Sequence, residues 1–326
     1  MTNKELRKAL TPVFRIADVC LSPLTLLASW LMWLIRKIGV GNMPVSKSIF
    51  RGVGVFPILD HYYEPLFNSR RLRLPLDRDR PLPGIDWNDK EQLSLLDGFR
   101  YQDELAAIPV GKQHEEPGFY YDNPSLGPGD AEYLYCMIRH FKPRRIIEIG
   151  SGWSTLMARQ AIRKNVGEDP AATTIQTCIE PYEMPWLEKT GVEVIRRVVE
   201  DVDPAFFGEL EKGDILFIDS SHMVRPQGDV LFEFLEVLPL LNSGVVIHVH
   251  DIFSPRDYTR RHLVDEVIFW NEQYILEAFL TCNDRFRIVA AVNYLKNRYP
   301  DRVYARLPIL AKNPGQVPGS FWMIKN

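Results

Sequence analysis

The stretch RRIIEIGSGWSTLMARQAI, Arg144 to Ile162, constrains the fold of this chain more than any other. An apolar run ends in an acid, turns through Gly150 and Gly152, and continues with helical spacing. Glycine has no Cβ, so the backbone can bend sharply there and approach a ligand closely. The helix that follows presents unpaired N–H groups at its start. Downstream, apolar runs alternate with helical segments. Strands are expected at TIQTCIE, VEVIRRVVE, DILFIDS, GVVIHVHDI, FRIVAAVNYL and SFWMIKN. Helices are expected at DAEYLYCMIRHF, STLMARQAIRKN, GDVLFEFLEVLPLL and LVDEVIFWNEQYILEAFL. Such alternation predicts a doubly wound, Rossmann-like α/β fold with a mostly parallel seven-stranded sheet. A short stretch, not a crossover helix, separates the last two strands, so the last is expected to be antiparallel. Ligands of such sheets bind beyond the carboxyl ends of the strands, where the strand order reverses.

Composition sets limits on this reading. The chain has 326 residues and a net charge of -3, enough for one large α/β domain and an extension. No basic excess points to nucleic acid, so no nucleic-acid partner is expected. Cys20, Cys136, Cys178 and Cys282 lack metal-ligand spacing and read as reduced thiols of a cytoplasmic protein. Three segments are expected: residues 1–41, an apolar helical segment; residues 42–129, a Pro-rich cap or lead-in; and residues 130–326, the α/β domain. The cap carries HYYEP and FYYDNPSL, whose tyrosines are expected to pack on the domain surface with their hydroxyls bonded, a substrate wall being the alternative.

The N-terminal run VCLSPLTLLASWLMWLI, Val19 to Ile35, carries no charge, and Arg15, Arg36 and Lys37 flank it. Ser22 and Pro23 read as an N-cap and first helical position, which places a helix from Pro23 to Val40. At ~1.5 Å per residue that helix would be roughly 27 Å long, marginal for a bilayer span. A helix lying on a membrane surface, a single span, and a helix packed on its own domain all fit. Membrane contact is favoured, at the inner face.

The strand ends carry the chemistry. A dinucleotide fingerprint would place a third glycine where Thr155 stands, with an acid about 20 residues on. Here the acid is Glu180, at the end of the second strand and some 30 residues after the loop. A carboxylate at that place can take two ribose hydroxyls. Glu148, two residues before the first glycine, opposes a pyrophosphate and suits a cationic ligand. EIGSGWST with Glu148, followed by CIEPY with Glu180, resembles the class I S-adenosylmethionine-dependent methyltransferases. That resemblance covers residues 130–326. It implies that Glu148, Gly150, Ser151 and Gly152 line the methionine end of S-adenosylmethionine, with Ser154 at the helix start. Glu180 would bind the ribose, Glu200 or Asp201 would approach the adenine edge, and Asp219 would join the cofactor set.

A second constellation ends the fourth and fifth strands: Asp219 and His222 in FIDSSH, then His248, His250 and Asp251 in IHVHDIFSP. Side chains alternate along a strand, so His248 and His250 face the same side. Oxygen and imidazole ligands could hold Mg²⁺, Mn²⁺ or Fe²⁺. The pattern looks like the metal-dependent catechol-type O-methyltransferases, which implies metal ligands at Asp219, His250 and Asp251. The resemblance puts a catalytic lysine where this chain has His222. A metal-free site with His222 or His250 as base, oriented by Asp219 or Asp251, is the alternative. Trp322 reads as sheet packing, and Asn271, Glu272 and Gln273 as an exposed or substrate-facing turn of the helix ending at Leu280.

Together these expectations describe an S-adenosylmethionine-dependent methyltransferase (EC 2.1.1 type). Its acceptor would be a small molecule or a lipid- or glycan-linked hydroxyl. The rivals are a hydroxylase or oxidoreductase with iron at the His/Asp cluster, and a non-catalytic membrane-associated protein that binds the cofactor.

Overall fold

The computed structural model describes residues 3–61, 63–112, 117–182 and 184–326. The chain divides into two compact units, Met1–Arg73 and Leu74–Asn326. The boundary therefore falls inside the Pro-rich stretch expected at residues 42–129, whose second half belongs to the same unit as the sheet.

The first unit holds two helices. Helix α1 (Asn3–Ile38) is unbroken across Pro12 and Pro23, and α2 spans Pro44–Val53. The expected start at Ser22–Pro23 is thus corrected, and the reason is local. Pro23 has no N–H to offer the carbonyl of Val19, four residues back. The Ser22 hydroxyl donates to that carbonyl instead, at 2.8 Å. From Leu10 to Ile38, α1 is long and apolar enough to cross a membrane, and none of its apolar window is buried.

The second unit opens with α3 (Asp89–Gly98), α4 (Gln102–Ala107) and α5 (Asp130–Phe141). Then come β1 (Arg145–Ile149), α6 (Trp153–Glu168), β2 (Ile175–Ile179), β3 (Glu193–Ile195) and β4 (Ile215–Ile218). Helix α7 (Asp229–Phe232) continues as a π-turn and a 3-10 turn to Leu240, followed by β5 (Val246–Val249) and α8 (Glu272–Leu280). The chain closes with β6 (Phe286–Ala291), α9 (Val292–Arg298), α10 (Pro300–Tyr304), α11 (Pro308–Lys312) and β7 (Phe321–Lys325). The sheet order is β3-β2-β1-β4-β5-β7-β6, parallel except for β7, which runs antiparallel to both neighbours. This is the doubly wound seven-stranded sheet with an antiparallel last strand.

Three elements depart from the expectations. The helix expected from Leu263 to Leu280 breaks, because Val267 is left-handed and the amides of Asn271 and Glu272 bond to the carbonyl of His222. The strand expected to reach Leu295 ends at Ala291, and three short helices fill the connection to β7. Strand β3 keeps only three residues of VEVIRRVVE.

Strand side chains alternate between two apolar layers. Ile146, Phe217 and Trp322 pack on one face with α5, α6 and α11, while Ile147, Leu216 and Met323 pack on the other with Phe234 and Leu276. Trp322 is fully buried in the sheet, as expected. Register does the rest. Ile149 pairs with Ile179 and with Ile218, and Ile218 pairs with Val249. The next residues, Gly150, Glu180, Asp219 and His250, therefore form one row just past the carboxyl edge of four adjacent strands.

Candidate active site

The order reverses between β1 and β4, and there the two strand ends nearly touch. Gly150 has φ 75°, and a Cβ built on it would lie 1.8 Å from the carbonyl oxygen of Asp219. No other residue fits that contact. Gly152 is different: its backbone is extended, at φ 172°, and an added Cβ would meet only Met184 Cε, at 3.4 Å. The requirement for glycine thus rests on one residue, not on the pair.

An open cleft of about 530 Å³ lies over this loop, a volume in the range of small-molecule sites. Gly150, Ser151, Gly152, Ser154, Glu180, Glu200 and Asp219 all line it. Glu180 is buried, and its carboxylate accepts the N–H groups of Ser151 at 3.2 Å and Tyr182 at 3.0 Å, which orient it. Of the pair Glu200 and Asp201, Glu200 faces the cleft and Asp201 is exposed elsewhere.

Glu148 is the exception among the expected cleft residues. It is buried, does not line the cleft, and accepts hydrogen bonds from Ser154, Thr155, Gln176 and Cys178. Thr155 Oγ1 in turn accepts the amide of Gly152 at 3.0 Å. Burial pushes the Glu148 carboxyl up to about 7 against the pull of those donors. Its work is to brace the loop and the first turn of α6, so direct contact with a ligand is corrected to support from behind. The residue at the position of the missing third glycine, Thr155, is part of that brace.

The strand ends β4 and β5 bring four groups together. His222 Nε2 lies 3.3 Å from Asp219 Oδ1 and 3.7 Å from Asp251 Oδ2. His250 Nδ1 lies 3.5 Å from Asp219 Oδ1 and 3.6 Å from Asp251 Oδ2. His222 and Asp251 both hold left-handed backbones, φ 60° and 53°, a conformation that costs a non-glycine residue on the order of 1 kcal/mol. Burial alone would lower the pKa of each histidine. For His222 the hydrogen bonds and charges of Asp219 and Glu272 outweigh it, and the pKa stands well above the usual value. For His250 the charges of Asp219 and Asp251 do the same. Asp219 and Asp251 are held low in return: burial raises them, and the facing histidines more than reverse it. Both imidazoles are therefore held toward the protonated form, which corrects the expectation of a base with an unperturbed pKa.

Three donor atoms, from Asp219, His222 and Asp251, lie within 4.8 Å of one another and could hold a metal ion. Two carboxylates and one imidazole suit a divalent ion such as Mn²⁺ or Fe²⁺. The expected ligand set is thereby altered: His222 stands in the triangle in place of His250, whose Nε2 lies 3.8 Å from Asp130 Oδ2. His248 belongs to the core, stacked on Phe217 with ring centroids 4.1 Å apart.

The sequence reading missed Glu272. It is fully buried, and its carboxylate meets His222 Nδ1 at 2.8 Å, so the turn expected to be exposed or substrate-facing holds the second partner of His222. Gln273 is buried with it and accepts the amide of Phe253. The only signal was an acid at the first position of an apolar helix, which is ordinary helix chemistry. Among the cap residues, Tyr121 is buried with its hydroxyl bonded to the Leu105 carbonyl at 3.2 Å, while Ser125 and Leu126 line the cleft. In HYYEP, His61 and Tyr63 are exposed, and Tyr62 lies outside the described residues.

Comparisons with known proteins bear on this geometry. Residues 147–252 match the family model described as a methyltransferase domain. An uncharacterized protein of Archaeoglobus fulgidus is 32% identical over 183 residues, which cover 52% of this chain and 80% of that protein. Residues 147–252 therefore carry a methyltransferase domain. Among solved structures, an O-methyltransferase from Bacillus cereus in complex with SAH aligns with a TM-score of 0.37 and 14% identity, over 73% of this chain and 92% of that one. The segment matched by the family model runs from within β1 to just past β5, and so contains the glycine turn, Glu180 and the whole Asp/His cluster.

The closeness of Gly150 to Asp219 yields a direct expectation. Gly150→Ala adds a Cβ that strand β4 cannot accommodate, in a left-handed backbone. Strain and overpacking together should cost about 3 kcal/mol. Urea unfolding of the variant should show that loss, and an unchanged midpoint would mean the strand ends are not in contact.

Proposed function

We propose that this methyltransferase transfers the sulfonium methyl group of S-adenosylmethionine to a hydroxyl of a small-molecule or lipid- or glycan-linked acceptor. The observation that carries the proposal is the row at the sheet edge: a tight glycine turn, a buried acid one strand over, and an Asp/His cluster beside them. In this reading Gly150, Ser151, Gly152 and Ser154 receive the methionine end, Glu180 takes the ribose hydroxyls, and Glu200 faces the adenine end. Asp219 lies between the donor and the acceptor.

The step needs a nucleophilic oxygen in line with the sulfur–methyl bond. In its neutral form His222 takes the proton of the acceptor hydroxyl at Nε2, the oxygen forms a bond to the methyl carbon, and the sulfur–carbon bond breaks with its electron pair returning to sulfur. The cation is thereby moved from sulfur to an imidazole held by Asp219, Asp251 and Glu272. Most of the acceleration comes from holding the two reactants in line, and the proton acceptor adds to it. Glu272 fixes the imidazole through Nδ1, so Nε2 is the nitrogen directed at Asp219, which lines the cleft, and at Asp251. A divalent ion at Asp219, His222 and Asp251 would supply instead a lowered pKa for an acceptor hydroxyl. His250 contributes positive charge beside Asp219 and Asp251.

The apolar helix α1 supports a place at the inner membrane face for a cytoplasmic catalytic unit, and with it an acceptor drawn from the membrane.

Two measurements test the reading. Calorimetry with S-adenosylhomocysteine should give micromolar binding that weakens roughly tenfold or more in Glu180→Ala, the worth of a charge-assisted contact. Equal binding by both proteins would remove the ribose assignment. Single-turnover methyl transfer should accelerate as pH rises through neutrality, because His222 has a raised pKa and its base form is lost as pH falls. His222→Gln should be slow with a flat profile; a wild-type rate independent of pH from about 6 to 9 would exclude His222 as the base.

A further inference from the structure

The cleft holds a cation that the proposed reaction leaves unused. Among its described lining residues Arg225 is the single Lys or Arg, in company with the acids Glu180, Glu200, Asp219 and Asp229. Arg225 is exposed, and its side chain makes no ion pair or hydrogen bond among the described residues. Asp229, the acid closest to it in sequence, is committed elsewhere. Its carboxylate accepts the N–H of Ser221 at 2.8 Å and the Ser221 hydroxyl at 2.6 Å.

The sequence RPQG, Arg225 to Gly228, holds the arginine in place. The Gly228 N–H donates to the Arg225 carbonyl at 3.1 Å and closes a turn. Pro226 supplies the fixed φ of the second position, and Gln227, with φ 58°, is the left-handed third. The side chain then lies back over the end of the turn. A Cβ built on Gly228 would meet Arg225 Cγ at 2.7 Å, and its Nε and carbonyl oxygen at 3.2 Å. Gly228 itself has φ −99°, which any residue adopts. Glycine is needed there because the arginine lies across it, not because the backbone is strained.

Helix α7 fixes which end of the cleft this turn serves. It starts directly after Gly228 and packs on the 3-10 turn Val199–Asp201, which carries Glu200. Arg225 therefore enters the cleft on the Glu200 side, the adenine end of the proposed nucleoside. The one anionic group of S-adenosylmethionine, its carboxylate, belongs at the other end, by the Gly150 loop. What the nucleoside offers beside Glu200 is a flat, neutral ring. A guanidinium is planar and weakly hydrated, and stacks on such faces.

We propose that Arg225, held by Gly228, stacks its guanidinium on the adenine ring and is a specificity-determining residue for the methyl donor. The inference rests on the reading of the cleft as the S-adenosylmethionine site and adds a residue that neither the glycine turn nor the Asp/His cluster contains.

The test is calorimetry with S-adenosylhomocysteine and with methylthioadenosine, which keeps the nucleoside and lacks the amino-acid end. Arg225→Ala should weaken both ligands by roughly fivefold to tenfold, the worth of a cation over an aromatic face. Arg225→Lys keeps the charge without the flat plane and should recover little of that loss. Gly228→Ala displaces the arginine and should weaken both ligands. Combined with Arg225→Ala it should add nothing, because the clash with Cγ is gone. A loss confined to S-adenosylhomocysteine would move Arg225 to the carboxylate, and unchanged binding of both ligands by Arg225→Ala would remove it from the donor site. Either result overturns the proposal. Full affinity in Arg225→Lys, wild-type affinity in Gly228→Ala, or a further loss in the double variant does so too. Binding that Glu180→Ala weakens and Arg225→Ala leaves intact rejects Arg225 alone, whereas a wild type that binds neither ligand rejects the donor site as well.

Discussion

The contact between Gly150 and the Asp219 carbonyl is the constraint on which the site depends. It forces the ends of β1 and β4 together at the switch in strand order. That closeness sets the glycine turn beside the Asp219 carboxylate, and the parallel register carries Glu180 and His250 into the same row. Among the described residues no side-chain hydrogen bond joins the turn to the acids of β4 and β5. The sheet geometry alone makes one site of two constellations that are about 70 residues apart in sequence.

Charge balance is the second organising fact. The cluster at β4 and β5 gathers Asp219, Asp251 and Glu272 around His222, with Asp130 and His250 adjoining. Buried carboxylates at such separations would repel one another without a cation among them. The imidazoles supply that cation, and a divalent ion would supply it equally. The same balance explains why a histidine serves where a lysine is expected: it donates on two sides, from Nδ1 to Glu272 and from Nε2 toward the two aspartates. A lysine would present one ammonium to all three.

Much of this was legible in the sequence, for a physical reason. Parallel strands buried on both faces leave near-continuous apolar runs, and the acids that end them stand out against that background. Glu180, Asp219, His222 and Asp251 were found in this way. Other features were hidden because they depend on contacts distant in sequence. The Glu148 carboxylate reads as a ligand group until Gln176 and Cys178 of β2 are seen to enclose it. Glu272 reads as part of an exposed or substrate-facing turn until the broken helix at Val267 turns it onto His222. The Ser22–Pro23 pair has the form of a helix start, yet the serine hydroxyl takes over the bond that proline cannot make, and α1 continues. Pattern marks where a strand ends; it does not show which side chains meet there.

The central claim is that one cleft at the sheet edge holds the methyl donor, with its sugar gripped from β2. A crystal structure of the protein soaked with S-adenosylhomocysteine tests it most directly. The account predicts both ribose hydroxyls within hydrogen-bond distance of the Glu180 carboxylate, and the sulfur toward Asp219 and His222. A nucleoside bound with its ribose away from Glu180, or its sulfur turned from the Asp/His cluster, would contradict it.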